Sequence, residues 1–138
     1  HIILNIETHT AVAILGDILL ESMRTKYIGV MIARGDLAIE TGWKNLGKIQ
    51  REILAICSAA HAPVIWATQV LENLAKKGLP TRSEITDVAS SIASECVMLN
   101  KGAYITEAIS LLDEVLADTE KSQEDKERVL PRVLRPNR

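Results

Sequence analysis

Residues 30–39 read VMIARGDLAI, an apolar run that halts on Arg34, Gly35 and Asp36 and then resumes. An unbroken apolar run suits a strand covered on both faces, because a half-exposed strand would alternate. Three similar runs flank it, so that His1–Ile6, Ile28–Ala33, Pro63–Ala67 and Cys96–Leu99 read as four strands. Between and after them the apolar period changes to that of a helix. Ala11–Met23 places Val12, Leu15, Ile18 and Leu19 on one face, and Trp43–Ala60 does the same with Leu46, Ile49, Ile53, Ile56 and Cys57. Glu84–Ala93 is a third helix, and Ile105–Leu116 a fourth with Ile105, Ala108, Ile109, Leu112, Val115 and Leu116 in one stripe. The pattern is βαβαβαβα.

Apolar strands separated by amphipathic helices predict a parallel α/β sheet, because right-handed crossovers lay each helix on a sheet face. Four such units fit an open sheet or half of an eight-unit barrel, and periodicity does not choose between them. From Asp118 the composition turns polar, and Pro131 and Pro136 interrupt any helix. The expected organisation is one α/β unit over residues 1–117 and a helix extension with a mobile tail over 118–138.

The totals set outer bounds. With 138 residues, the chain is the size of one domain. Its 47% hydrophobic content allows a core, and the absence of Phe assigns that core to Ile, Leu, Val and Ala. A formal charge of −2 gives no electrostatic reason for a nucleic acid or an anionic membrane as partner. No apolar run reaches the ~20 residues of a membrane span. A signal-peptide layout is also missing. These features lead to the expectation of a soluble, cytoplasmic protein, and the opening His1 suggests a piece of a longer frame. Cys57 and Cys96 lie in apolar surroundings without CxxC or Cys/His spacing, and are expected to be reduced, buried thiols.

Polar residues gather where the strands end: Asn5-Ile6-Glu7-Thr8, Arg34-Gly35-Asp36, Thr68-Gln69 and Asn100-Lys101-Gly102. In parallel α/β folds that edge binds ligands, since adjacent strands deliver their loops to one place. Glu7 and Asp36 would follow neighbouring strands about 5 Å apart. Two carboxylates so placed suit a hard divalent cation such as magnesium, which leaves its other positions to water and substrate oxygens. Gly35 lets the backbone come close to a ligand. A plainer alternative pairs Arg34 with Asp36, or uses them to cap the next helix. Pro80-Thr81-Arg82-Ser83-Glu84 has the composition of a helix entrance, with Thr81 or Ser83 as N-cap and Glu84 as first-turn charge. His1, His9 and His61 are scattered and read as solvated loop residues.

GVMIARGDLAIE, then PVIWATQVLENLAKKGLPTRSEITDVA at 63–89, then CVMLNKGAYITEAI at 96–109, closely resemble pyruvate kinase. With Asn5-Ile6-Glu7 at its head, the resemblance covers residues 2–116. It implies the last four units of a (β/α)₈ barrel. It further implies that Glu7 and Asp36 hold Mg²⁺ or Mn²⁺, and that the backbone at Ala33, Gly35 and Asp36 meets the carboxylate of phosphoenolpyruvate. By the same likeness Thr68 stands beside the reacting carbon, while Arg34 and Arg82 lie near a subunit contact. The family's activity is phosphoryl transfer between phosphoenolpyruvate and ADP, yielding pyruvate and ATP. Its K⁺ ligands fall outside this chain.

The sequence departs from the family at three points. The active-site lysine two residues before the metal-binding glutamate is Asn5. MLSGETAKG is shortened by four residues to Met98-Leu99-Asn100-Lys101-Gly102, which makes Lys101 a candidate substitute for the lost charge. The first half of the barrel, the lid and the regulatory domain are not in this chain. Removing one preorganised donor costs about 10²–10³ in rate, so the isolated chain is expected to be inactive. A non-catalytic structural or regulatory module competes with the phosphotransferase reading. An aldolase-like lyase using the same metal–enolate chemistry is a third reading. Two open sheet edges also predict a homo-oligomer, with two halves completing a pseudo-barrel.

Overall fold

The structure, a computed structural model, describes residues 1–129, with side chains described to residue 122. Four strands, β1 (Ile2–Ile6), β2 (Ile28–Ala33), β3 (Val64–Val70) and β4 (Cys96–Leu99), form one parallel sheet in the order β1-β2-β3-β4. Doubly wound sheets reverse strand order at a switch point. This sheet does not reverse, and its running order is that of a (β/α)₈ wall.

The period of two along each strand divides the sheet faces. Ile6, Val30, Ile32, Val64 and Trp66 join one core with the buried faces of the helices. Alternate positions form the opposite, concave face, on which Ile3 is 52% exposed and Met98 39%. Helices therefore cover one face only.

Among the described residues seven α-helices and a 3₁₀ turn (Ser91–Ala93) accompany the strands: α1 (His9–Ala13), α2 (Leu15–Ser22), α3 (Arg34–Thr41), α4 (Trp43–Ala59), α5 (Glu72–Lys77), α6 (Arg82–Ser90) and α7 (Ile105–Val129). Leu15 and Leu19 of α2, Ile53 and Cys57 of α4, Val88 of α6 and Ala108 of α7 are all at most 2% exposed. Each fully buried Leu or Ile contributes about 1.5–3 kcal/mol.

Several boundaries differ from the sequence expectation. The single helix expected over Ala11–Met23 divides at Ile14, whose φ of −113° and ψ of 21° leave helical geometry. Strand β3 runs to Val70 rather than Ala67. Two helices, α3 and α5, stand where only strand-end loops were expected. Ile109, assigned to the buried stripe of α7, is 55% exposed, and Cys96 is exposed on the concave face rather than buried. Cys57 is fully buried, and burial, reinforced by the nearby Glu95 carboxylate, pushes its thiol up to about 11. Helix α7 passes through Asp118 without a break as far as Val129; residues 130–138 lie outside the described residues.

The shortened turn after β4 packs onto α5. Tyr104 N–H donates to Ala75 O at 2.9 Å, and a Cβ at Gly102 would overlap that same Ala75 carbonyl. Glycine is required here by the close approach of two backbones.

Candidate functional site

Strand β2 ends on Ala33, and α3 begins at once with Arg34. This junction sends its side chains in two directions. Asp36, in the first turn of α3, faces the end of β1, where Glu7 follows Ile6, the register partner of Ile32. Glu7, Thr8, Asp36, Ile39 and Glu40 line one hollow of about 270 Å³. Among the described residues no Lys or Arg lines it, and the side chains of Asp36 and Glu40 have no hydrogen-bond or ion-pair partner. Glu7 has one: Asn5 Nδ2 donates to its Oε2 at 2.6 Å. Thr8 caps α1, accepting from Ala11 N at 3.1 Å, and so fixes the chain just after Glu7.

Arg34 turns the opposite way and is 8% exposed. Its Nε donates to Ala67 O at 2.8 Å and its Nη2 to Thr68 O at 2.7 Å. Its Nη1 pairs with Asp87 of α6, and the guanidinium lies over the Trp66 ring at 4.6 Å. The alternative Arg34–Asp36 pair does not form; Arg34 pairs with Asp87. Nearby, Thr81 and Glu84 form a capping box at the start of α6: Glu84 N donates to Thr81 Oγ1, and Thr81 N to Glu84 Oε2. Glu84 Oε1 also accepts from Asn73 N at 2.6 Å, tying α5 to α6. Thr81, rather than Ser83, is the N-cap; Arg82 is exposed.

The clamped carbonyls belong to a strained segment. Thr68 has φ 67° and Gln69 φ 57°, at the irregularity between Trp66 and Val70 in the β3–β4 pairing. A β-branched residue at positive φ is a genuine outlier, and such geometry costs of order 1–3 kcal/mol per residue. Arg34 stabilises it from below. From the side, Gly35 N–H donates to Thr68 Oγ1 at 3.1 Å, so the hydroxyl acts as acceptor and keeps its own proton free to donate. Arg34, Gly35, Thr68, Gln69, Trp43 and Ser83 border a second hollow of about 340 Å³. A Cβ at Gly35 would meet only Thr68 Oγ1 at 3.9 Å, so packing does not demand a glycine there.

The structure therefore brings Glu7 and Asp36 together and puts Gly35 and Thr68 in the adjoining hollow. Asn5 reaches the first hollow through Glu7. Ala33 is 2% exposed and borders neither hollow, so only its backbone is available. Lys101 is exposed after β4, three strands and about 14 Å along the sheet from β1.

The donor set of the first hollow fits magnesium or manganese, with hard carboxylate oxygens and no competing cationic side chain. Among the described residues no three acidic, His or Cys groups are arranged as a closed cage. Magnesium's usual habit of keeping water and substrate oxygens matches that openness. The sequence reading missed Glu40 and the clamp from Arg34 to Asp87. Glu40 lies four residues after Asp36, one helical turn on, a spacing visible once α3 is recognised as a helix. The Arg34–Asp87 pairing has no local signal, because 53 residues separate the partners.

Comparison with known proteins gives concordant results. The family model described as pyruvate kinase, barrel domain, matches residues 1–109. A pyruvate kinase of Candida albicans is 41% identical over 100 residues, 68% of this chain and 20% of that protein. One of Debaryomyces hansenii is 39% identical over 127 residues, 88% of this chain and 24% of that protein. The solved structure of a pyruvate kinase from Cryptosporidium parvum superposes with a TM-score of 0.77 at 36% identity, covering 86% of this chain and 24% of that one. The chain thus spans 20–24% of the length of these relatives.

Proposed function

The chain belongs to the pyruvate kinase family, and on that footing we propose that it supplies the metal and carboxylate half of a phosphotransferase site. The intact protein would move a phosphoryl group between phosphoenolpyruvate and ADP, a glycolytic step in the cytoplasm, and this chain alone would not turn over. The observation that supports the reading is the hollow that Glu7 and Asp36 both line, with no Lys or Arg among its lining residues.

In this reading Glu7 and Asp36 hold Mg²⁺ or Mn²⁺, with Glu40 at the margin. The ion would supply charge neutralisation for the substrate and phosphoryl oxygens. The first-turn N–H groups of α3 lack intrahelical partners and favour an anion. Gly35 N–H is already given to Thr68, so its neighbours in that turn remain for the substrate carboxylate. The absence of a Cβ at Gly35 lets that carboxylate approach. Thr68 keeps a hydroxyl proton to donate beside the reacting carbon. The uncovered concave face and the open edges of β1 and β4 support a homo-oligomer or a covering partner; sedimentation of a clean monomer at tens of micromolar would contradict it.

Asn5 favours a second reading, a non-catalytic module of the same descent. A neutral amide held by Glu7 cannot offset phosphoryl charge as an ammonium does. A coupled assay of the full-length parent with phosphoenolpyruvate, ADP and magnesium separates the two. Turnover establishes the phosphotransferase; none, even after Asn5→Lys, establishes the module.

A further inference from the structure

We propose that Asn5 is a positioning residue that sets which divalent cation the Glu7–Asp36 hollow accepts. This inference rests on the metal-site reading above and deepens it. Asn5 and Glu7 are two residues apart on one strand and its extension, so both project from the same sheet face. The 2.6 Å hydrogen bond from Asn5 Nδ2 occupies one lone pair of Glu7 Oε2 and leaves Oε1 as the freer ligand atom of that carboxylate. Glu7 has no other hydrogen-bond or ion-pair partner among the described residues, so this bond is the polar contact that orients it.

The number of oxygens a carboxylate offers discriminates between cations. Calcium readily takes both oxygens of a carboxylate and tolerates six to eight ligands, whereas magnesium demands a compact octahedron and takes carboxylates one oxygen at a time. Manganese shares the octahedral habit of magnesium and is the convenient probe. A Glu7 with one oxygen engaged by Asn5 is biased towards single-oxygen coordination, which favours magnesium and manganese over calcium. Released, it could turn to offer both oxygens, and the preference would fall. An ammonium at position 5 would hold Glu7 too, but would add positive charge beside the cation. The neutral amide positions Glu7 and leaves the negative charge of the hollow intact.

The test uses the full-length protein, titrated separately with Mn²⁺ (followed by electron paramagnetic resonance) and with Ca²⁺ (followed by calorimetry). Wild type, Asn5→Ala, Asn5→Leu, Asn5→Gln and Asp36→Ala are compared, with unfolding in urea as the control for folding. Asn5→Ala and Asn5→Leu, which remove the donor, are expected to lower the ratio of Mn²⁺ to Ca²⁺ affinity about tenfold, the scale of one charge-assisted hydrogen bond. Asn5→Gln, which retains an amide donor, is expected to preserve most of the ratio. An unchanged ratio in Asn5→Ala and Asn5→Leu, with wild-type binding still dependent on Asp36, overturns the role of Asn5 alone. Wild-type binding that is absent, or indifferent to Asp36→Ala, overturns the site reading and this inference with it.

Discussion

At the carboxyl edge of the sheet, one dipeptide apart, β2 and α3 serve two neighbourhoods that the fold uses differently. On the side of β3 and α6, Arg34, Asp87, Glu84 and Thr81 are engaged with one another or with backbone carbonyls and amides. On the side of β1, Asp36 and Glu40 have no partner among the described residues, and Glu7 has only Asn5. The first neighbourhood holds the chain in a strained shape. The second leaves like charges facing a hollow, which a fold gains nothing by doing unless something cationic occupies it. Polar residues of equal prominence in the sequence therefore divide into those engaged in shaping the rim and those left largely without a partner.

Substitutions should separate the two sides. The largest effect is expected from Arg34→Ala, which leaves Asp87 and two carbonyls without their donor and removes the stack on Trp66. Loss of about 3–5 kcal/mol in urea unfolding is expected for breaking such a largely buried pair; a loss under about 1 kcal/mol would mean that the clamp is ornamental. Next comes Gly102→Ala, whose methyl overlaps the Ala75 carbonyl and should cost about 1–3 kcal/mol. Its counterpart Gly35→Ala meets open space within the chain and should leave the urea midpoint nearly unchanged. Yet it should weaken phosphoenolpyruvate binding in the full-length protein, measured by calorimetry. Equal destabilisation by the two glycine substitutions would erase the distinction. Thr81→Ala removes an N-cap and half of a capping box, with an expected cost of about 1 kcal/mol. Smallest in stability are Glu7→Ala and Asp36→Ala, expected within about 0.5 kcal/mol of wild type because both side chains are exposed.

How much of this the sequence discloses depends on the range over which each feature is encoded. Strands β2 and β4 have the expected limits, because buried strands write themselves as continuous apolar runs. The adjacency of Glu7 and Asp36 follows from strand order alone. The capping box at Thr81 and Glu84 is legible because its partners are three residues apart. Helix α5 had its signals too: Glu72 at the start, Lys76 and Lys77 at the end, and Gly78 as a left-handed cap at φ 80°. Six residues are too few for a periodicity to stand out. The positive φ of Thr68 and Gln69 is not legible, because neither residue type announces it, and the Arg34 bond to Thr68 O that accompanies it comes from 34 residues away.

The direct test is titration of Mn²⁺ into wild type, Glu7→Ala and Asp36→Ala of the full-length protein, alongside their urea unfolding curves. Binding in wild type that weakens at least tenfold in both variants, with superimposable unfolding curves, is the expected result. Equal binding in all three proteins, or none in wild type, would contradict the assignment of the β1–β2 rim to a cation.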